Sequence, residues 1–261
     1  MAATAMLLGF DAIDARADGD PDRFTLRLGA FRLGHSETEI FARQEPIPFG
    51  TTVNFERDLN LEEKITTPRV AGYFRFNPTH RLDYSWYRLE RVGSRIIDRE
   101  LSFGTGVFPI GTNVQSSLDF ELGKLAYTWS FYRSDDVELG ASVGAYLLSY
   151  KATVRRAGSG TAVDVSVSSP LPMLGFRLDY SIGRRWHALF DFEAFYLELG
   201  EDTRGAIDDL QLALEYRLGR HLLLGVSVNR LVIDVTDNSD SLRWSISDLY
   251  RGEQIYVGVR F

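Results

Sequence analysis

The chain has 261 residues, enough for one large β-domain or two small domains. Its net charge of −7 argues against nucleic acid as a partner, because phosphate binding needs a basic face. The absence of cysteine excludes disulfides, thiolate metal sites and cysteine nucleophiles, and no apolar run reaches the length of a membrane helix.

The first residues, MAATAMLLGFDAIDARA, contain parts of an export signal. Ala15-Arg16-Ala17 has the form of a signal-peptide cleavage site. A basic region is missing, however, and Asp11 and Asp14 interrupt the apolar part. We therefore interpret residues 1–21 as a residual signal peptide or a disordered N-terminal tail, and residues 22–261 as a single domain.

Beyond residue 22, apolar residues alternate with polar or small ones along nearly the whole chain. A period of two is typical of β-strands, because successive side chains point to opposite faces. Helical spacing is confined to DLNLEE, from Asp58, which is compatible with one turn of helix. The alternating stretches are FTLRLGA from Phe24, RVAGYFRF from Arg69, RLDYSW from Arg81, KLAYTWSF from Lys124, VELGASVGAYL from Val137, MLGFRLDYSI from Met173, HALFDFEAF from His187, LQLALEYRL from Leu210, LLLGVSV from Leu222 and EQIYVGVRF from Glu253.

Two kinds of break alternate between these stretches. Short turns rich in Gly, Pro, Asn and Asp lie at residues 77–80, 133–136, 183–185 and 219–221. Longer polar connections lie at about residues 44–66, 101–115, 155–168, 200–207 and 236–249. The alternation predicts an all-β fold, an up-and-down antiparallel barrel of about ten strands. The range is about 8 to 12, because residues 50–59 could form an extra strand.

The polar face of the strands indicates which environment each face meets. A soluble barrel would hold apolar residues inside and charges outside. Here the polar face combines charges with small residues such as Gly140, Gly144 and Gly175, which fits a narrow interior filled by ion pairs. The apolar face then meets lipid, since a closed sheet satisfies its own backbone hydrogen bonds. The predicted lumen charge network is Arg27, Arg69, Arg75, Asp83, Lys124, Glu138, Arg177, Asp179, Asp191, Glu193, Glu215, Arg217 and Arg260.

Aromatic residues cluster beside the short turns, as they do in the girdles at membrane interfaces. Trp129, Phe131 and Tyr132 precede the second short turn, and Trp186 follows the third. The short turns are therefore predicted to be periplasmic and the longer connections extracellular. The alternative is a soluble β-sandwich with an aromatic core, which would place about a dozen charges on a glycine-rich solvent face.

One stretch departs from a single alternation. Phe120 and Leu122 are even-numbered, whereas the next apolar residues, Leu125 and Tyr127, are odd-numbered. Either a bulge near Gly123 switches the faces, or the upper part of this strand extends beyond the membrane, where inside and outside chemistry exchange. The second explanation is the one we favour.

The last strand has apolar residues at alternate positions and ends on an aromatic residue. This pattern resembles the signal that the assembly machinery of bacterial outer-membrane barrels reads, with Ile255, Val257, Val259 and Phe261 at the matching positions. The stretches GTTVNFERDLNL, FRFNPTHRLDYSWYRLER and KLAYTWSFYRSDDVELGAS resemble a family of small, largely uncharacterised outer-membrane β-barrel proteins of Gram-negative bacteria. The resemblance runs from about residue 22 to the end. It implies a barrel in the bacterial outer membrane and does not imply any particular activity.

Catalytic groups are poorly placed in this pattern. His80 and His221 lie in short turns, and His187 begins a strand beside one. His35 and Ser36 are neighbours on a strand and point to opposite faces, so they do not form a nucleophile–base pair. We therefore expect no catalytic residue and no enzyme activity.

Acidic residues near the extracellular end could bind divalent cations or bridge to lipopolysaccharide phosphates through them. The alternative is a solvated, charged loop. For Asp191 and Glu193, on one inner face, pairing with lumen arginines such as Arg177 or Arg217 is favoured over a paired-carboxylate site. The acidic residues at the loop end are Glu201, Asp202, Asp208, Asp209, Asp237 and Asp240.

The sequence thus predicts a structural or interaction protein of the cell envelope, with a salt-bridged and plugged lumen. A narrow channel for small or hydrophobic solutes is the alternative, and an enzyme acting on lipid or peptide at the rim is a weaker one. The expected partners are outer-membrane lipid and lipopolysaccharide, with the barrel-assembly machinery during biogenesis. No metal, cofactor or nucleic acid is expected, and the chain is expected to be a monomer.

Overall fold

A computed structural model describes residues 23–44, 50–158, 162–199, 203–238 and 242–261. The described residues are almost entirely β-structure, with one short helix. The predictions for residues 1–21, and for Glu201, Asp202 and Asp240, fall outside the described residues. The elements are β1 Phe24–Gln44, β2 Thr52–Asn54, α1 Phe55–Leu59, β3 Ile65–Asn77, β4 His80–Ile96, β5 Leu101–Phe103, β6 Gly106–Phe108, β7 Asn113–Arg133, β8 Val137–Arg156, β9 Ala162–Ile182, β10 Trp186–Leu199, β11 Thr203–Arg217, β12 Leu222–Asp237 and β13 Leu242–Arg260.

Ten of these strands close into an antiparallel barrel, which confirms the predicted fold. Each long strand pairs with its neighbour in the chain, and β13 pairs back onto β1 through partners such as Leu26 and Val259. Strands β2, β5 and β6 are short additions within two connections on the extracellular side. In the half next to the short turns, closure leaves no free edge, so the backbone hydrogen bonds there are satisfied within the wall.

The outer wall carries an apolar belt next to the short turns. Leu28, Val143, Leu212 and Val257 all point outward and are about half exposed. The belt ends where charged residues begin to face outward, some 8–12 residues from the strand ends at the short turns. This is close to the about 9–11 residues of a strand that crosses a bilayer. The outward residues that bound the belt are Arg32, Arg88, Glu121, Arg230 and Glu253.

The aromatic girdle lies at the other edge of this belt, as predicted. Trp129, Phe131, Tyr132 and Trp186 are exposed on the outer wall beside the short turns. Trp129 contacts Phe131, and Trp186 contacts a tyrosine of β11. A closed barrel with an apolar outer belt and an interfacial girdle is a transmembrane barrel of the bacterial outer membrane.

The strands continue far beyond the belt, and here three predicted loops were wrong. Residues 155–168, 200–207 and 236–249 were expected to be connections, but β9 already begins at Ala162, β11 at Thr203 and β13 at Leu242. A strand of 21 residues such as β9 is roughly 70 Å long at about 3.3 Å per residue, much more than the hydrocarbon thickness. The segments beyond the charged boundary form what we call the upper barrel.

The upper barrel reverses the chemistry of the two faces. Its interior is apolar, with Leu33, Ile40, Leu89 and Ile233 almost completely buried, while charged and polar residues face outward. In strand β7, even-numbered residues face inward along its whole buried length. The chemistry of the two faces therefore reverses without a change in which positions face inward. The pairing of β7 with its neighbours has no register shift near Gly123, which excludes a bulge there. The apolar residues move to the other face because the surroundings of the wall change at that level.

The first long connection folds back into the upper barrel. Strand β3 begins only at Ile65, which leaves a gap between the upper halves of β1 and β4. Residues 52–54 pair with β1, α1 follows, and Leu61 bridges to Gly93 of β4, so this segment fills the gap. Phe55 and Leu59 of α1 point into the core and are fully buried.

The helix was predicted at the wrong place. DLNLEE was expected to form its turn, but α1 ends at Leu59. Asn54 caps its N-terminus by accepting a hydrogen bond from the Arg57 amide at 2.8 Å, and Asn60 ends it in the left-handed conformation with φ of 56°. Asparagine is suited to both positions, so the two residues confine the helix to the sequence between them.

Candidate functional site

The interior of the barrel at the level of the belt is filled by ion pairs. At its centre, the guanidinium of Arg177 lies 2.9 Å from Asp179 and 2.8 Å from Asp191. It also lies 3.9 Å from Asp83, whose other oxygen is 3.1 Å from Arg81. Two arginines and three carboxylates thus form one connected cluster across β4, β9 and β10.

Smaller groups surround this cluster. Lys124 lies 2.8 Å from Glu193, so the two carboxylates of β10 are each paired with a cation rather than with each other. Glu138 accepts from Arg75 at 3.0 Å and from Arg133 at 2.5 Å. Charges in so narrow a space are stabilised only by such pairing, because an unpaired charge would lose its hydration without compensation.

A third group lies between β1, β11 and β13. Glu215 accepts from Arg27 at 2.6 Å and from the hydroxyl of Tyr256 at 2.9 Å. The ring of Tyr256 occupies the space beside Gly225, where a Cβ atom would lie 2.2 Å from the ring. The small lumen residues therefore make room for large side chains on neighbouring strands, and they do not leave an open channel there.

The remaining predicted lumen residues also point inward. Arg69 donates to Asn229 at 2.9 Å and lies over the rings of Phe31 and Tyr87, without an ion pair to a described carboxylate. Arg217 and Arg260 are partly buried near the short-turn end. The structure thus places all thirteen residues of the predicted network on the inner face of the wall.

The sequence prediction missed Arg81, which is fully buried at the centre of the network. Its guanidinium pairs with Asp83 and approaches Asp179 to 3.5 Å. A sequence signal existed, because Arg81 and Asp83 are two residues apart and so share a face. Arg81 begins the alternating stretch RLDYSW, but the predicted network included only Asp83 from that stretch.

Immediately above the ion pairs, aromatic side chains form a layer across the lumen. Phe120 of β7 lies at its centre, with ring centroids 6.0 Å from Tyr87, 5.6 Å from Tyr150 and 5.0 Å from Tyr250. Phe31 of β1 extends the layer at 5.3 Å from Tyr87. These residues come from β13, β1, β4, β7 and β8, on one side of the barrel, and are at most 5% exposed, so they fill this part of the lumen. We call it the aromatic layer.

Above the aromatic layer, Arg91 holds α1 to the wall. It donates to Glu56 of α1 at 2.6 Å and to Thr38 at 2.8 Å, while Glu56 also accepts from the Thr38 amide and from Ser36. Arg91 further donates to Tyr250 at 3.3 Å. Because Glu56 belongs to a connection, its pairing with a residue of β4 could not be read from strand periodicity.

Asp248 lies beside this group in the upper barrel. Its carboxylate accepts from Tyr150 at 3.1 Å, and its second oxygen has no hydrogen-bond partner among the described residues. Burial raises the pKa of Asp248 to about 7, against the opposing effect of the hydrogen bond from Tyr150. This carboxyl group is therefore partly protonated near neutral pH.

The histidines occupy the positions that the sequence indicated. His35 faces outward whereas Ser36 is buried inside, and a register shift lies just before them in β1. His80, His187 and His221 lie at the short-turn end, where His80 contacts Tyr127 and His221 contacts Phe261. No histidine therefore lies in the lumen of the upper barrel.

The acidic residues of the extracellular half do not gather into one site. Asp208 faces outward, whereas Asp209 faces inward and accepts from Tyr146 at 2.8 Å. Among the described residues, no group of three or more His, Asp or Glu side chains could hold a metal ion.

The described part of the chain also contains no helix long and apolar enough to cross a membrane.

The residues that resemble an assembly signal all lie on the outer face of β13. Ile255, Val257 and Phe261 are exposed, and Val259 is partly exposed. The backbone of Phe261 exchanges two hydrogen bonds with Phe24, at 2.9 and 3.0 Å, where the barrel closes. Whether these residues are read during assembly stays a prediction.

Several solved structures of outer-membrane proteins are similar to this chain. The outer membrane protease OmpT from Escherichia coli is similar with a TM-score of 0.56 and 9% identity, over 91% of this chain and 97% of that one. OprG from Pseudomonas aeruginosa has a TM-score of 0.43 and 8% identity, over 93% and 97% of the two chains. The toluene transporter TodX from Pseudomonas putida has a TM-score of 0.35 and 10% identity, over 92% and 91%. No family model and no curated protein matches this chain.

The similarity to OmpT confirms the barrel fold expected from the sequence. At 9% identity, the likeness to a protease concerns the fold alone.

Proposed function

We propose that this protein is a closed barrel that serves as a structural or interaction protein of the cell envelope and does not conduct solutes. The observation that carries the proposal is the aromatic layer, which lies directly above a paired charge network. A water-filled channel would expose the side chains along its wall. Instead, Arg81 and Phe120, one in each layer, have no exposed surface.

Two separate closures support this proposal. The charge network lies at the level of the belt, and the aromatic layer with α1 lies above it. Interiors of barrels with 8 to 10 strands are just wide enough to be filled by side chains. A single closure could open by a rearrangement of one loop, whereas two closures built from wall residues require the wall itself to change.

We propose no catalytic activity. Ser36, whose hydroxyl contacts a carboxylate inside the upper barrel, donates to Glu56 at 2.9 Å and accepts from Arg91 at 2.7 Å. It is 3% exposed, so substrate has no access to it. A nucleophile needs a general base and an approach for the substrate, and this group has neither a histidine nor an opening.

Planar-bilayer recording tests the closed lumen. Wild-type protein should give no steady unitary currents. We expect Arg177→Ala and Phe120→Ala each to stay silent, because each leaves the other closure in place, and the double variant to conduct. Arg88→Ala, which removes an exposed arginine of the outer wall, is the matched control. Steady unitary currents from the wild-type barrel would support a narrow channel and overturn this proposal.

A further inference from the structure

A cationic recess lies on the outer wall where β1, β12 and β13 leave the belt. Its volume is about 450 Å³. Arg230 and Arg251 are paired directly across β12 and β13, and His35 is paired with Arg251 across β13 and β1. Three basic side chains therefore lie side by side on three adjacent strands, all facing outward. Lys64, the residue before β3, adds a fourth.

Two arginines directly opposite each other on one face repel and destabilise a sheet. Neither Arg230 nor Arg251 forms an ion pair with a described residue. The one acidic side chain that lines the recess, Glu253, is paired with Arg32 at 3.2 Å. The recess thus holds a local excess of positive charge on a protein whose net charge is −7.

The lower part of the same recess is apolar. Leu210, Leu212 and Val228 line it, and the last two are about half exposed on the belt. Arg230 is two residues beyond Val228 and is paired with Leu210 across the strands. The cations therefore lie at the boundary between hydrocarbon and headgroups, with a surface for acyl chains directly below.

We propose that this recess binds a phosphate group of an outer-leaflet lipid, with acyl chains against Leu212 and Val228. Arginine guanidinium groups bind phosphate through paired, charge-assisted hydrogen bonds. A bound phosphate would also remove the repulsion between Arg230 and Arg251. The proposal rests on the position of the belt and is independent of the closed lumen.

The chain contains a matched control for this site. Arg43 and Arg243 are also paired across β1 and β13. They lie roughly 26 Å farther along β13, at the top of the upper barrel and away from lipid. The two arginine pairs therefore have the same chemistry and differ in their distance from the belt.

The test uses delipidated full-length protein in non-ionic detergent, with hexa-acylated bisphosphorylated lipid A as the probe. Native mass spectrometry would measure bound lipid. The wild type and Arg43→Ala/Arg243→Ala should bind lipid A equally, whereas Arg230→Ala/Arg251→Ala should bind about tenfold more weakly or worse. Lipid A without phosphates should bind the wild type as weakly as that variant binds lipid A. Heat-modifiable gel mobility would verify that each variant is folded.

Three outcomes would overturn the proposal. Equal binding by all variants would show that the recess is not the site. Equal losses in both double variants would show a general effect of surface charge. Displacement of lipid A by millimolar inorganic phosphate, together with binding of phosphate alone, would show a site for a soluble anion instead.

Discussion

The lumen at the level of the belt and the interior of the upper barrel are enclosed by the same strands, yet their chemistry is opposite. At the lower level Arg177 and its carboxylates fill the space, while leucine and valine face outward. At the upper level Leu89 and Phe120 fill the space, while charges face outward. The solvent outside explains the difference. Lipid surrounds the outer face at the lower level and favours apolar side chains there, whereas water surrounds it at the upper level and favours polar ones.

The two interiors should respond differently to loss of one side chain. Arg177→Ala leaves the largely buried carboxylates of Asp191 and Asp179 without their main partner. Loss of one partner of a buried ion pair costs about 3–5 kcal/mol, and we expect that loss in urea-induced unfolding from detergent micelles. Arg88→Ala removes an exposed ion pair with Asp119 and should cost less than about 1 kcal/mol. Equal costs for the two variants would show that the lower lumen is hydrated.

A smaller but clear effect is expected in the upper core. Leu89 is fully buried, whereas Ile96, on the same strand, is exposed on the outer wall. Leu89→Ala should destabilise the barrel by about 2–4 kcal/mol, because it leaves a cavity. Ile96→Ala should change the free energy of unfolding by less than about 0.5 kcal/mol, because water already surrounds that side chain. Similar losses at both positions would place lipid against the upper wall and contradict the reversal of faces.

The third expected effect is a dependence of stability on pH. Asp248 has a pKa of about 7 in the folded protein against 3.8 in its ordinary state. Between these values the folded state holds a proton that the unfolded chain has released, so stability falls as pH rises and levels off above 7. Asp248→Asn removes this dependence. Its stability relative to the wild type should therefore rise from pH 4 to 7, by at most about 1.4 kcal/mol per pH unit.

Urea unfolding at a series of pH values measures this effect. Asp164→Asn is the control, because it removes the same charge from an exposed position. It shows how much of the change in stability comes from net charge rather than from the buried carboxyl group. Parallel stability curves for the wild type and Asp248→Asn would show that Asp248 is solvated in the folded barrel.

The fold could be predicted from the sequence because the residues of the belt follow a regular alternation. Where lipid lies outside, alternation such as that of Leu210, Leu212 and Leu214 is unbroken, and closure into ten strands follows from the alternating turns. The upper strands were harder to recognise. In AVDVSVSS, from Ala162, the valines point inward and the polar residues outward. The alternation is present, but its polar residues made it resemble a loop.

Part of the site was predictable for the same reason. Asp191 and Arg177 share an inner face by periodicity, and each belongs to a strand whose outer face is apolar. The partner of Lys124 could not be read from the sequence, because pairing across the lumen depends on which strands face each other. Glu56 was not predictable at all, since it reaches Arg91 from a connection that turns inward.

By itself, the sequence determined the class of protein, the membrane and the side of the wall on which the residues of the membrane-spanning strands lie. These follow from local alternation, which depends only on the geometry of a strand and the solvent on each side. The tertiary structure alone decided that Phe31, Tyr87, Phe120, Tyr150 and Tyr250 meet in one layer. It also decided that Arg230 and Arg251 lie side by side. Both depend on the register between neighbouring strands of the barrel, which no local pattern specifies.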